Sequence, residues 1–131
     1  MTNLNVAIFG CSGAIGKALC IEYIKKQNID NIIAYSRSGE KFENDLIKSI
    51  KIDYCDEESL SNAASSLQFK LDIIIVAIGA LENPEKSIKD LSAQKFLDMF
   101  NANTIPTALI AKYFLPCLYR DKTTKFASIS A

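Results

Sequence analysis

Three glycines lie in Phe9-Gly10-Cys11-Ser12-Gly13-Ala14-Ile15-Gly16, directly behind a short apolar run and directly ahead of a helical pattern. A strand, a glycine turn and a helix in that order make a cradle for phosphate groups. Gly10 permits the tight turn, Gly13 lets backbone approach a pyrophosphate with no Cβ in the way, and Gly16 lets the helix pack closely on the sheet. Ser12 and Ile15 belong to the same junction, whose free N–H groups are set to hydrogen-bond phosphate oxygens. Chain reversal alone is the competing reading of these glycines. Their place between strand and helix favours phosphate.

Further along, Tyr35-Ser36-Arg37-Ser38 closes the next apolar run, about twenty residues beyond Gly16, where a dinucleotide fold meets the adenosine ribose. An acidic side chain there receives the ribose hydroxyl of NAD, whereas an arginine accommodates the 2′-phosphate of NADP. This chain offers a planar charged donor in Arg37 and hydroxyls in Ser36 and Ser38, with no carboxylate among them. NADP (NADPH) is therefore expected in preference to NAD. A solvated Arg37 at a strand end is the alternative, and the glycine loop itself holds no basic residue.

The elements that must position these groups alternate between strand and helix. Asn5 to Phe9 reads as a buried strand, and Ala14 to Lys26 as a helix with Ile15, Leu19 and Tyr23 on one face. Asn31 to Ser36 is a second strand, Phe42 to Ile47 a polar and short-helical segment, and Ser49 to Tyr54 a third strand. Asp56 caps a helix reaching about Leu67. Asp72 to Ile78 is a strand of unbroken apolar character, which implies burial on both faces and hence a parallel sheet. A polar loop, Gly79 to Leu91, precedes a long helix from Ser92 to about Leu118, and Phe126 to Ser130 is a fifth strand. The fold class is α/β, a Rossmann-type doubly wound parallel sheet in one unit spanning the chain.

Composition excludes several function classes. Apolar residues make up 49% and charged residues 23% of the 131, so a packed core is expected rather than disorder. Fifteen basic residues balance fifteen acidic ones, which gives no electrostatic reason to expect nucleic acid or an anionic membrane as partner. The chain holds no histidine, and its four cysteines, Cys11, Cys20, Cys55 and Cys117, are widely spaced, so no metal site is expected. Reduced and mostly packed thiols fit a cytoplasmic protein. The longest apolar stretch, Thr107 to Leu118, contains Lys112 and Pro116 and does not read as a membrane span.

With these residues in place, the chain resembles the short-chain dehydrogenases/reductases, whose loop pattern G-x-x-x-[AG]-x-G is met by Gly10, Ala14 and Gly16. It is similar in particular to the C-factor-like branch, through Pro84-Glu85-Lys86-Ser87 and Asn101-Ala102-Asn103-Thr104. The resemblance implies an NAD(P)-dependent oxidoreductase acting on a small carbonyl or alcohol. It sets Asp53-Tyr54 against the family's Asp-Val pair, whose carboxylate faces the adenine amino group; a turn cap is the other reading of Asp53. Val76-Ala77-Ile78-Gly79 stands where relatives carry Asn-Asn-Ala-Gly, and only Gly79 keeps the close approach to the cofactor. Asn103 aligns with the catalytic asparagine that supports an ordered water. Independently of the resemblance, Pro106 cannot donate to the carbonyl of Ala102, which predicts a distorted helix beside Asn103.

Family catalysis also requires Tyr-x-x-x-Lys, in which the lysine brings a phenol of pKa near 10 into working range. Four residues after Tyr23, Tyr35, Tyr54, Tyr113 and Tyr119 stand Gln27, Gly39, Glu58, Cys117 and Thr123, none of them lysine. Ser130 is a candidate for the catalytic serine, although Ala131 falls nearer the family's position. The chain is thus expected to be the cofactor-binding N-terminal portion of a longer enzyme that self-associates. A non-catalytic NADP(H)-binding regulatory or redox-sensing module is the alternative, and a flavodoxin-like FMN binder a weaker one, since its phosphate loop is rich in Ser and Thr.

Overall fold

The computed structural model describes residues 3–80 and 86–130. Five parallel strands form one sheet in the order β3-β2-β1-β4-β5: β1 (Leu4–Phe9), β2 (Ile29–Ser36), β3 (Ile47–Lys51), β4 (Ile73–Val76) and β5 (Lys125–Ser128). Among the described residues four α-helices accompany it: α1 (Ala14–Ile24), α2 (Glu57–Ser65), α3 (Ala93–Met99) and α4 (Ile105–Phe114). The expected doubly wound α/β architecture is present.

Side-chain alternation along the strands explains the unbroken apolar runs. From β1, Val6 and Ile8 enter one cluster with Ile32, Ala34 and Cys20, while Ala7 and Phe9 enter the opposite one with Tyr35, Leu60 and Phe114. Successive residues feed opposite layers, so every position from Val6 to Phe9 is apolar. The second layer centres on an aromatic group: Phe9 stacks on Tyr35 at 4.5 Å between ring centroids, and Phe114 meets both edge-on at 4.8 and 5.4 Å. At the amino end of the sheet, buried Asp72 accepts the Asn5 amide at 2.8 Å and pairs with Lys122 at 2.7 Å. This ion pair ties β1, β4 and the approach to β5 together.

Several boundaries differ from the sequence reading. The segment 42–46 is not helical. Asn44 Oδ1 accepts the Leu46 amide at 2.9 Å and the Asn44 carbonyl accepts that of Ile47 at 3.1 Å, a local turn that competes with helix and starts β3 early. In α1, Leu19 and Tyr23 pack against the core as expected, whereas Ile15 is 55% exposed and Gly16 and Cys20 are the fully buried positions. The long helix from Ser92 is present in pieces. Ser92 caps α3 through the Lys95 amide, a π-helical segment Phe100–Thr104 interrupts it, and a short 3-10 turn at Leu115–Cys117 follows α4. The interruption falls where Pro106 predicts it. No helix among the described residues is long and apolar enough to cross a membrane.

Candidate functional site

The carboxyl ends of β1, β2 and β4 open onto a cleft of about 450 Å³, where the strand order reverses about β1. Open α/β sheets bind ligands at this switch point. A larger hollow of about 990 Å³ runs along the approach to β3, but it offers neither a glycine turn nor a helix terminus. Volume alone does not select a site; the polar groups at the first cleft do.

The Gly10–Gly16 turn lines that cleft from below. Gly10 has φ of 93°, and a Cβ there would meet the Ala77 carbonyl oxygen at 2.3 Å. A Cβ on Gly16 would stand 2.0 Å from the Gly10 carbonyl oxygen, so α1 starts in backbone contact with the turn. Gly13 differs: it lines the cleft, has an ordinary φ of −81°, and its nearest neighbour would be the Gly10 oxygen at 3.5 Å. The turn hangs from β2, since the Gly10 and Cys11 amides both donate to the Tyr35 carbonyl at 3.0 Å. Gly13 is the N-cap of α1 and supplies no side-chain cap, whereas α2 and α3 are capped by Asp56 and Ser92. The amides opening α1 therefore carry the partial positive charge of a helix start without an internal acceptor from the cap. Ser12 is exposed and lines the cleft; Ile15 does not line it and brings only its amide.

The wall formed after β2 and β3 carries the charged groups. Arg37 is exposed and lines the cleft, and among the described residues no carboxylate pairs with it. Ser36 does not reach the cleft. It is 1% exposed, and its Oγ accepts the Gly39 and Glu40 amides at 2.9 and 3.2 Å, which corrects its expected place beside the ribose. Asp53 lines the cleft while its Oδ1 accepts the Cys55 amide at 3.0 Å, so the turn cap and the cleft wall are one residue. Tyr54 is buried. Its hydroxyl accepts the Gly10 amide at 2.8 Å and donates to the Tyr35 carbonyl at 3.2 Å, and burial pushes its pKa above the ordinary phenol value. It lines the cleft beside Asp53 and at the same time holds the glycine turn.

Opposite stand the end of β4 and the π-helical segment. Asn103 Oδ1 accepts the Ala80 amide at 2.7 Å, and its Nδ2 donates to the Ala80 carbonyl at 2.9 Å. A Cβ on Gly79 would lie 2.9 Å from that Oδ1, so glycine at this position makes room for the clamp. The distortion has the cause read from the sequence: Pro106 has no N–H for Ala102, and Ile105 donates instead to Phe100, five residues back. The Cys55 thiol donates to the Asn101 carbonyl at 3.5 Å, bridging the two walls. Ser130 is exposed beyond β5 and does not line the cleft. Pro84 and Glu85, part of the branch motif, lie outside the described residues.

Sequence reasoning missed the Tyr54–Gly10 bond, the Asn103–Ala80 clamp, the Cys55–Asn101 bridge and the 2.8 Å ion pair between Lys17 and Glu40. Each joins residues 23 or more positions apart, and no local pattern signals such a pairing.

Solved structures share this architecture. Sniffer of Caenorhabditis elegans, described as a carbonyl reductase, superposes with a TM-score of 0.86 at 20% identity, over 100% of this chain and 64% of its own. A Burkholderia multivorans protein described as a short-chain dehydrogenase/reductase, with bound NADP, gives 0.85 at 18% identity, over 98% and 59%. The NADPH-bound carbonyl reductase from chicken fatty liver gives 0.78 at 17% identity, over 89% and 49%. The chain thus spans about half to two thirds of these structures' lengths. No curated protein matches it. The sequence profile described as short chain dehydrogenase matches residues 4–131, and the chain belongs to that family.

Proposed function

We propose that these 131 residues form a single NAD(P)-binding Rossmann unit with NADPH preferred, serving an oxidoreductase that interconverts a small carbonyl and its alcohol. One observation carries the reading: at the switch-point cleft, α1 begins on a glycine turn with no side-chain cap, whereas α2 and α3 are capped by Asp56 and Ser92. A pyrophosphate supplies the acceptors that such a terminus lacks. The residues present fit a dinucleotide, because Gly10 and Gly16 leave no space for Cβ atoms and the side of Gly13 facing the cleft is open.

In this reading the amides about Ser12 and Ile15 hold the two phosphates, and Gly13, whose own amide donates to the Gly10 carbonyl at 3.1 Å, leaves them room. Arg37 receives the 2′-phosphate, without the help of Ser36. Asp53 faces the adenine edge, and Gly79 lets the chain after β4 pass close to the nicotinamide half. When bound, the nicotinamide gives or accepts the hydride. Asn103 is a positioning residue: its amide fixes Ala80, and the π-helical backbone around it offers carbonyls to an ordered water. Ser130 is not assigned a role.

Within these 131 residues no tyrosine precedes a lysine by four positions, so the chain alone binds cofactor without turning substrate over. Two cofactor titrations followed by fluorescence test the assignment. NADPH is expected to bind, and to bind more tightly than NADH. Absence of binding by both overturns it.

A further inference from the structure

Cys11 sits inside the glycine turn and Cys20 one helical turn beyond Gly16, and their sulfurs lie 3.4 Å apart, buried at 1% and 0% exposure. We propose that Cys11 and Cys20 are a redox pair whose oxidation to a disulfide deforms the Gly10–Gly16 turn and lowers dinucleotide affinity. The effect on affinity rests on the function proposed above; the bond itself does not.

The geometry makes the pair reactive toward each other and the consequence local. A disulfide needs the sulfurs about 2.0 Å apart, so closure draws them together by about 1.4 Å. Cys11 Sγ now donates to the Ile8 carbonyl at 3.1 Å, a bond that the disulfide removes. The strain has little room to dissipate, because the Cα of Cys11 lies 3.0 Å from where a Gly16 Cβ would stand and the Cys11 amide is held by Tyr35 at 3.0 Å. The turn must shift with its cysteine. The amides of Ser12 and Gly13 follow Cys11 directly in the chain, so they move with it.

The oxidant is hydrogen peroxide. The Cys20 thiolate attacks one peroxide oxygen, the O–O bond breaks, and a sulfenic acid and hydroxide result; the hydroxide takes the proton that the thiol released. Cys11 sulfur then attacks the sulfenic sulfur, the S–O bond breaks, and the departing hydroxide leaves as water with the Cys11 proton. Two thiols are oxidised and one peroxide is reduced to two waters. A Cys11 thiol turned from Ile8 toward Cys20 stabilises the Cys20 thiolate and lowers its pKa, while Cys11 is raised. Burial makes the reaction slower than at exposed Cys55, so closure is paced by opening of the turn.

The test treats the folded protein with peroxide, blocks the remaining thiols, digests with trypsin and reads masses. Cleavage after Lys17 and Lys25 separates the two cysteines, so a disulfide links the peptide ending at Lys17 to Ala18–Lys25. The expected result is that linked species, with NADPH affinity at least about tenfold weaker. Dithiothreitol should restore affinity, and Cys20→Ala should bind NADPH with or without peroxide. If Cys20→Ala does not fold, Cys20→Ser serves, since it removes the thiol at nearly the same side-chain volume. Two unlinked, alkylatable thiols after peroxide overturn the proposal, as does a linked pair with unchanged affinity. If the reduced protein binds no dinucleotide, the functional reading fails by itself. Amide exchange across Gly10–Gly16 then decides: altered exchange on linking supports the pair, and unaltered exchange overturns it.

Discussion

Gly13→Ala separates the fold from the site more cleanly than any other single change. Gly10 and Gly16 cannot be used for this purpose, because a Cβ at either meets backbone at 2.3 or 2.0 Å and the turn itself would have to move. At Gly13 the backbone is extended, with φ of −81° and ψ of 165°, and the nearest atom to an added Cβ is 3.5 Å away. Alanine is a poorer N-cap than glycine by about 0.5–1 kcal/mol, and it restricts the unfolded chain by about the same amount, so stability should change by less than about 1 kcal/mol. The new methyl projects into the space a phosphate would fill against the uncapped amides. Losing one or two charge-assisted hydrogen bonds costs about 3 kcal/mol, or roughly a hundredfold in Kd. NADPH fluorescence titration beside a thermal melt reads both quantities. Wild-type affinity in a folded Gly13→Ala protein would refute the phosphate assignment, and an unfolded one would refute the geometry of the turn.

Three more substitutions follow from the same cleft and its support. Arg37→Leu should weaken NADPH about tenfold and leave NADH within about twofold, because in the proposed function the guanidinium serves only the 2′-phosphate; equal losses in parallel titrations would remove the cofactor preference. Tyr54→Phe deletes a hydroxyl that makes two hydrogen bonds, at 2.8 and 3.2 Å. The Gly10 amide keeps the Tyr35 carbonyl, so the melt should fall by only about 1–2 kcal/mol of stability, and an unchanged midpoint would deny the clamp. Tyr35→Phe should act in the opposite sense: the Tyr35 hydroxyl is buried with no hydrogen-bond partner among the described residues, and its removal should stabilise by about 1 kcal/mol, which a lowered midpoint would contradict.

What could be read from the chain divides along a physical line. The sheet was legible because β1, β2 and β4 are buried on both faces, and an unbroken apolar run is the direct signature of that burial. The glycine turn was legible because steric exclusion acts largely between neighbours in sequence: Gly16 against Gly10 is local, and only Gly10 against Ala77 and Ile78 is distant. The break in the long helix was legible through Pro106, whose missing N–H acts within one turn. Ser36 was misplaced because its fate depends on which way a strand-end side chain turns, and the backbone of Gly39 and Glu40 captures it. The segment before β3 was misread because polar composition does not distinguish a helix from an asparagine-centred turn.

The cleft assembles by using up most of its own polar groups, and the remainder indicates what it receives. Tyr54 occupies the Gly10 amide, Cys55 occupies the Asn101 carbonyl, and Asn103 occupies both backbone groups of Ala80. These contacts join the end of β3, the end of β4 and the π-helical segment, so the walls are set before any ligand arrives, which lowers the ordering cost of binding. Beside the Asp53 carboxylate and the Ser12 hydroxyl, the donors left facing the cleft are a helix start without a cap and a guanidinium paired with no described carboxylate. Both are donors, both favour anions, and they belong to different strand ends of one sheet. A ligand that satisfies the two together must carry two separated negative groups on one frame. That is the charge pattern of a dinucleotide with a phosphate on its ribose, and a single inorganic anion cannot reproduce it; phosphate should therefore compete with NADPH only weakly, and effective competition at comparable concentration would speak against a two-point site.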